Sequence, residues 1–520
     1  MSHPPYYVNA AAIFGEVARA AGPAPAIRWT RDTHTTYSRL DALANQIARV
    51  LLDHDVRKRD TVGLATDKTL TTYGAMLACL RIGAPYFAVD PANPRPRIQS
   101  IVDRCAPAIA FVGASVDPAP FGCPTLYVPD GGAEPPWLEG VDARDLAPPW
   151  PIGGSDPAYV MFTSGSTGAP KGATISHGNL VNFIQWARSH FAIGPGDVVT
   201  SVNPLFFDNS VFDTYASLFA GASLVPFTRA MTRDPYALLT RLDELGCTIY
   251  FSVPSLLVYF QRLKLVGPES FRSVKKIIFG GEGYPKPWLA KLHEAVGDRV
   301  ELHNVYGPTE CTCICSAYRI TSANLADLKG YAPLGHLLPN FSHVIVDDAG
   351  RAVDDGEIGE LCLGGPCVGL GYYGAPGATA RAFVQNPTHN RFADRVYKTG
   401  DLVRCDPASG EIHFVGRADT QIKHQGHRIE LGEIEHALTS LPGVEEAAAL
   451  HVSADGSSRI VAVVASRGEL TPAAIKAHLT AALPRYMVPE RIAVVAELLK
   501  NANGKIDRRG LTAQLARGEW

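Results

Sequence analysis

The chain has 520 residues, 46% of them hydrophobic and 19% charged, with a formal net charge of −3. That length exceeds what one hydrophobic core usually supports, so more than one domain is expected. The near-neutral balance excludes a global pull toward nucleic acid or an anionic membrane, and any anion site must therefore be local.

The first residues, MSHPPYYVNAAAIFGEVARAAG, lack the basic stretch and continuous apolar run of a secretion signal. No segment approaches the ~20 apolar residues of a membrane span, so a cytoplasmic protein is expected. From about residue 10 to 400, helical periodicity alternates with short β-rich runs. Examples are Leu70–Ile82 followed by Ala84–Val89, and Asp234–Leu245 followed by Cys247–Ser252. This alternation predicts βα units in helix-covered, mostly parallel sheets. Between about 330 and 415, short runs such as Ser342–Val346, Gly359–Leu363 and Glu411–Val415 predict a small β-barrel-like subdomain. A boundary falls near Gly416-Arg417-Ala418-Asp419. The expected organisation is an N-terminal core over 1–416 and a small α+β domain over 417–520, with helices at Leu431–Leu441 and Pro472–Ala482.

Five stretches carry chemistry. The first, Thr163-Ser164-Gly165-Ser166-Thr167-Gly168-Ala169-Pro170-Lys171-Gly172, follows the apolar run Ala158–Phe162. Its glycines let backbone N–H groups approach an anion, its hydroxyls donate, and its lysine supplies a compact positive charge. The spacing differs from that of a Walker A loop, because no hydroxyl follows Lys171. The second stretch is Phe206-Phe207-Asp208-Asn209-Ser210-Val211-Phe212-Asp213. Asp208 there is either a helix cap for Val211–Phe219 or a carboxylate waiting for a cation, since burying it unpaired is costly.

The third, Asn304-Val305-Tyr306-Gly307-Pro308-Thr309-Glu310, packs an aromatic, a tight turn, a hydroxyl and a carboxylate into seven residues. Such a set can stack on a purine, donate to a phosphate and hold Mg²⁺ through oxygen. Just beyond it, Cys311, Cys313 and Cys315 alternate. Without further ligands at a metal spacing they are expected to be small buried residues on one face of a strand. The fourth is Tyr397–Arg404, where Asp401 is suited to accept ribose hydroxyls. The fifth is the charge-dense junction Gly416–Glu435, and separately from these Asn501–Arg508 adds a glycine turn that presents Lys505.

Taken in this order, these stretches resemble the core motifs of the adenylate-forming superfamily, which includes acyl-CoA synthetases, luciferases and the adenylation domains of nonribosomal peptide synthetases. Leu80–Pro91, the Gly280-Gly281-Glu282 turn and Gly359–Tyr373 also match, so the resemblance covers nearly the whole chain. It implies a two-step reaction. A carboxylate attacks the α-phosphate of ATP, giving an acyl-adenylate and pyrophosphate, and a thiol then takes the acyl group.

By motif, the resemblance implies that Thr163, Ser164, Gly165, Ser166, Thr167 and Lys171 wrap the β- and γ-phosphates. Asn304, Tyr306 and the Gly281 backbone hold adenine, with Glu282, Val305, Gly307 and Pro308 also at nucleotide positions. Thr309 meets the α-phosphate and Glu310 holds Mg²⁺. Asp401 takes the ribose hydroxyls, assisted by Phe414 and Arg417. Lys505 resembles the catalytic lysine, working beside Thr309 and Glu310, and Asp419 resembles the hinge on which the small domain turns between steps. After that turn, the face around Lys423 and Gly426 serves the thiol step.

In amino-acid-activating members, an aspartate at the place of Asp208 pairs with the substrate ammonium. The remaining pocket positions by motif are Asn209, Phe212, Phe251, Ile278, Gly280, Val305, Cys313 and Ile314. They offer no second charge, and the set is similar to isoleucine- or valine-selecting pockets. The resemblance therefore implies activation of an aliphatic amino acid, with ATP and Mg²⁺, and delivery to the phosphopantetheine of a separate carrier protein. The end of the chain soon after Lys505 agrees with a stand-alone adenylation enzyme. A D-alanine carrier-protein ligase, an acyl-CoA synthetase using free CoA, and a catalytically inactive nucleotide-binding module are the alternatives. No nucleic-acid or membrane partner is expected.

Overall fold

The computed structural model describes residues 8–165, 169–454, 457–466, 468, 470–500 and 506–519. Ser166, Thr167 and Lys505 lie outside the described residues. By backbone contacts the chain divides into two compact units. The first comprises Met1–Pro91, Val102–Phe162 and Gly172–Ala418; the second comprises Ala92–Ile101, Thr163–Lys171 and Asp419–Trp520.

The first unit is built on two large sheets. One has nine strands, and its inner strands Pro25–Arg28, Ser223–Pro226, Val198–Ser201, Ile249–Ser252, Lys276–Gly280 and Glu301–Tyr306 run parallel. Antiparallel strands close it at both edges. The other has seven strands, parallel through Thr125–Val128, Ile109–Gly113, Val62–Ala65, Tyr86–Ala88 and Pro157–Thr163. Strands buried on both faces read as continuous apolar runs rather than as alternation. Ile109–Gly113, buried at every position, is one such strand.

Local chemistry sets the ends of these elements. The helix Leu70–Ile82 starts where the Thr69 side chain accepts from the Thr72 N–H, and it stops at Gly83 in the left-handed conformation. The helix His177–His190 opens on a capping box between Ser176 and Asn179. Every residue from Thr71 to Ile82 is buried, so this helix lies wholly inside the core.

The β-rich segment forms a five-stranded antiparallel sheet, not the barrel expected. Its order runs Ser342–Val346, Ile358–Gly364, Arg395–Cys405 and Phe383–Gln385, with Ile412–Arg417 also paired to Arg395–Cys405. Among the described residues no strand closes its edges. Instead the intervening residues His336–Leu337 and Gly371–Tyr372 join the nine- and seven-stranded sheets.

In the second unit, the strands Glu446–Ala454, Ser457–Ala465 and Arg491–Val495 form a sheet covered on both faces. Ile460, Ala462 and Val464 pack with the helices Leu431–Thr439 and Pro472–Ala482. Val461, Val463 and Ala465 pack with Leu511 and Leu515 of the helix Arg508–Arg517. The two-residue period of a strand is what sends successive side chains to opposite cores. A hairpin, Gln421–His424 with His427–Glu430, turns at Gln425 and Gly426, which have φ of 51° and 79°. Two successive positive φ values are the mark of a tight hairpin turn, and glycine lowers their cost. This turn carries Lys423 and Gly426.

Candidate active site

Three neighbouring parallel strands of the nine-stranded sheet carry the pocket positions in register. Phe251 pairs with Ile278, and Gly280 pairs with Val305. With Phe212, Cys313 and Ile314, these side chains belong to one buried cluster. A Cβ on Gly280 would lie 2.5 Å from the Val305 carbonyl oxygen, so only glycine lets these strands approach this closely. Phe212 meets Phe251 edge-on at a centroid distance of 5.3 Å and meets Phe191 at 5.4 Å. The result is an apolar wall of three rings.

Asp208 stands at the start of a short helix, Asn209–Val211, that widens into a π-helical turn over Phe212–Ala216. The helix expected over Val211–Phe219 thus starts earlier and changes pitch. Asp208 does not cap it, for its side chain makes no capping bond. Instead its Oδ2 accepts a hydrogen bond from Thr309 Oγ1 at 2.6 Å. Of the two sequence readings, helix cap and carboxylate for a cation, the cap is set aside. Asn209 is half-buried beside it.

Thr309 and Glu310 lie on a single 3₁₀ turn, Thr309–Cys311, that follows the strand Glu301–Tyr306. The three cysteines do not share a strand face. Thr312 and Cys313 take left-handed φ values of 61° and 75°, and the next strand begins only at Ser316. Gly307 explains the tight crossing, since a Cβ there would sit 2.4 Å from the Cys313 carbonyl oxygen. All three cysteines are buried, and burial pushes the Cys313 thiol well above its ordinary pKa. That makes it an inert wall atom rather than a nucleophile.

Glu310 is fully buried, and its Oε1 accepts from the Tyr372 hydroxyl at 2.7 Å. Tyr372 falls inside a motif matched by sequence, yet nothing in that motif marks it as a partner of Glu310. Among the described residues no three His, Cys, Asp or Glu side chains converge as a metal cage. A dication at Glu310 would complete its shell with phosphate oxygens and water, which suits Mg²⁺ and does not suit a structural zinc.

At the end of the strand Glu301–Tyr306, the Tyr306 hydroxyl donates to Asp401 Oδ2 at 2.6 Å, and Arg417 Nη1 donates to Asp401 Oδ1 at 2.6 Å. Burial, reinforced by the Asp401 charge, holds the Tyr306 phenol well above its ordinary pKa, so it stays a donor. Asp401 and Arg417 are direct partners across two antiparallel strands. A carboxylate offers about four lone-pair sites, so one such group can meet several donors at once. Phe414, three residues from Arg417, is 38% exposed.

Two matched residues are engaged by the scaffold itself. The Asn304 side chain donates to the Pro333 carbonyl at 2.8 Å, and Glu282 accepts from the Ser255 N–H at 2.7 Å. Gly281 takes a φ of 90° between them, a conformation that favours glycine.

The loop beginning at Thr163 belongs to the second unit. Thr163 Oγ1 donates to the Lys171 carbonyl at 3.4 Å, and a Cβ on Gly165 would meet the Ala169 carbonyl oxygen at 1.9 Å. Such a turn admits only glycine. Asp419 opens the C-terminal part of this unit, and its Oδ1 accepts from the Gln421 N–H at 3.1 Å.

The chain belongs to the AMP-binding enzyme family, whose profile matches residues 14–373, and the profile of that family's C-terminal domain matches residues 433–505. It is 34% identical over 501 residues to the L-proline--[L-prolyl-carrier protein] ligase of Streptomyces coelicolor, covering 92% of this chain and 91% of that one. It is also 34% identical to tyrocidine synthase 3 of Brevibacillus parabrevis, over 92% of this chain but 7% of that one. For surfactin synthase subunit 3 of Bacillus subtilis the identity is 33%, over 95% of this chain and 38% of that one. The chain thus spans well under half the length of these synthetases.

Among solved structures, IdnL1 superposes with a TM-score of 0.82 at 28% identity, over 95% of this chain and 100% of that one. PA1221, which contains adenylation and PCP domains, shares the fold with a TM-score of 0.83 at 24% identity, over 97% of this chain and 84% of that one. No helix among the described residues is long and apolar enough to cross a membrane.

Proposed function

We propose that the protein uses ATP to activate an amino acid with a compact aliphatic side chain, forming an aminoacyl-adenylate and pyrophosphate, and passes the aminoacyl group to the phosphopantetheine thiol of a carrier protein. The observation that carries this reading is Asp208. Its carboxylate is held by Thr309 rather than spent on a helix end, within the same short segment as the buried wall residue Phe212. A carboxylate in this setting asks for a cation, and an α-ammonium group supplies one. The apolar wall supports a hydrocarbon side chain. Similarity to a ligase named for an amino acid and its carrier protein supports the same acceptor.

In this reading the Thr309 hydroxyl turns from Asp208 to the α-phosphate when ATP is bound, and Asp401, oriented by Tyr306 and Arg417, binds the ribose. Asn304, Gly281 and Tyr306 border adenine, and Ser164, Gly165 and Lys171 take the outer phosphates. Glu310 would hold Mg²⁺, which supplies charge neutralisation on the phosphates when bound. Lys505 bridges the substrate carboxylate and α-phosphate as charge builds, and its loss should cost roughly 10²–10³ in rate. Residues 417–520 turn about Asp419 between the two steps, bringing the hairpin with Lys423 and Gly426 into use for transfer.

The test is amino-acid-dependent exchange of labelled pyrophosphate into ATP across a panel of amino acids, fatty acids and aryl acids, followed by loading of a carrier protein. Exchange with small aliphatic amino acids is expected. Exchange only with acids lacking an amino group would overturn the reading.

A further inference from the structure

Within the second unit, two donors of the phosphate loop, the Gly165 N–H and the Ser164 hydroxyl, are engaged by the protein's own oxygens. Glu433 lies in the first turn of the helix Leu431–Thr439 and is 2% exposed. Its Oε2 accepts from the Gly165 backbone N–H at 3.2 Å, and its Oε1 pairs with the guanidinium of Arg97, itself buried. One residue earlier in the loop, the Ser164 hydroxyl donates to the Arg428 carbonyl at 2.8 Å and accepts from the Glu430 N–H at 3.1 Å.

A carboxylate buried this deeply is costly unless a cation and donors meet it. Burial pushes the Glu433 carboxyl above the usual range, and Arg97 pulls it back. What meets it is a glycine N–H in a turn that admits only glycine, together with a planar guanidinium. These are the groups that recognise a phosphate oxygen.

We propose that Glu433 is an internal phosphate mimic: its carboxylate competes with the β- and γ-phosphates of ATP, and with free pyrophosphate, for the Gly165 N–H and Arg97. The proposal rests on reading Thr163–Lys171 as the phosphate loop. Arg97 then exchanges one anion for another and is never left buried and unpaired. Return of Glu433 to the loop opposes re-entry of pyrophosphate once the adenylate has formed.

The probe is inorganic pyrophosphate with Mg²⁺, titrated calorimetrically into the full-length protein. Glu433→Gln keeps the shape and removes the charge. It should bind pyrophosphate about 10- to 100-fold more tightly than the wild type, the worth of one charge-assisted hydrogen bond. Affinity for AMP, which carries no outer phosphates, should not change. Adding Arg97→Met to Glu433→Gln should take back the gain. If the glutamine variant loses its native circular dichroism spectrum, Glu433→Met serves in its place with the same expectation.

Unchanged or weaker pyrophosphate binding, or parallel tightening of AMP, would refute the mimic. Tighter pyrophosphate binding in a protein that shows no amino-acid-dependent exchange would refute the proposed reaction and leave the mimic standing.

Discussion

Replacing Asp208 with asparagine isolates the charge from the shape. The side chain keeps an oxygen for Thr309 Oγ1, which now donates to Asp208 Oδ2 at 2.6 Å, and loses only the negative charge. Two unit charges about 4 Å apart at an effective dielectric constant near 20 attract by about 4 kcal/mol. Stripping water from both ions offsets part of that, leaving about 2–3 kcal/mol for a half-buried pair. At about 1.4 kcal/mol per tenfold, kcat/KM for an aliphatic amino acid should fall roughly 30- to 150-fold.

The assay is pyrophosphate exchange with an amino acid and with its deaminated analogue, for example leucine against 4-methylpentanoate. The analogue has no ammonium to lose, so its kcat/KM should hold steady or rise, because the variant no longer sets a negative charge against an uncharged substrate group. A fall of equal size for both acids would refute the reasoning, since Asp208 would then act only through its bond to Thr309. No fall for either would remove it from the site.

Three further outcomes follow from the geometry. Gly280→Ala places a methyl group 2.5 Å from the Val305 carbonyl oxygen, so it should abolish exchange or shift it toward glycine; normal exchange with leucine would place the substrate elsewhere. Tyr306→Phe removes the hydroxyl that donates to Asp401 at 2.6 Å. It should raise the KM for ATP about 10- to 100-fold, one hydrogen bond's worth to a charged group, with kcat for the amino acid little changed. His177 is wholly buried and its Nδ1 accepts from the Ala10 N–H at 3.3 Å, so it must be neutral; burial lowers its pKa to about 4. The unfolded chain takes a proton near pH 6.5 and the folded chain does not. Stability should therefore fall as pH drops from about 6.5 to 4, by about 3 kcal/mol from this residue. In thermal melts at several pH values His177→Gln should flatten that part of the profile, and a profile as steep as the wild type's would count against it.

The α/β class, the parallel sheets and the change of character near 330 were legible because burial on both faces leaves an apolar run with helical stretches between. The strand Arg491–Val495 and the helix Pro472–Ala482 appear where the pattern puts them. Local rules gave out where long-range packing decides. Alternating Cys311, Cys313 and Cys315 suggested a strand, but Gly307 lets the loop cross so closely that Thr312 and Cys313 turn left-handed instead. Asp208 could be read as a cap or, preferably, as a charge for a cation, and the missing cap bond and the bond from Thr309, a residue 101 positions away, set the cap aside.

The sequence by itself determined the chemistry available: a glycine–hydroxyl loop, a carboxylate after two aromatics, an acidic turn residue and a lysine on a glycine turn. Residue type and local spacing suffice to specify donors, acceptors and charges. Only the tertiary structure decided which of these meet. Tyr372 on Glu310, Tyr306 and Arg417 on Asp401, and Glu433 on Gly165 join segments 16 to 268 residues apart. Such pairings are set by sheet register and core packing, which no local pattern encodes.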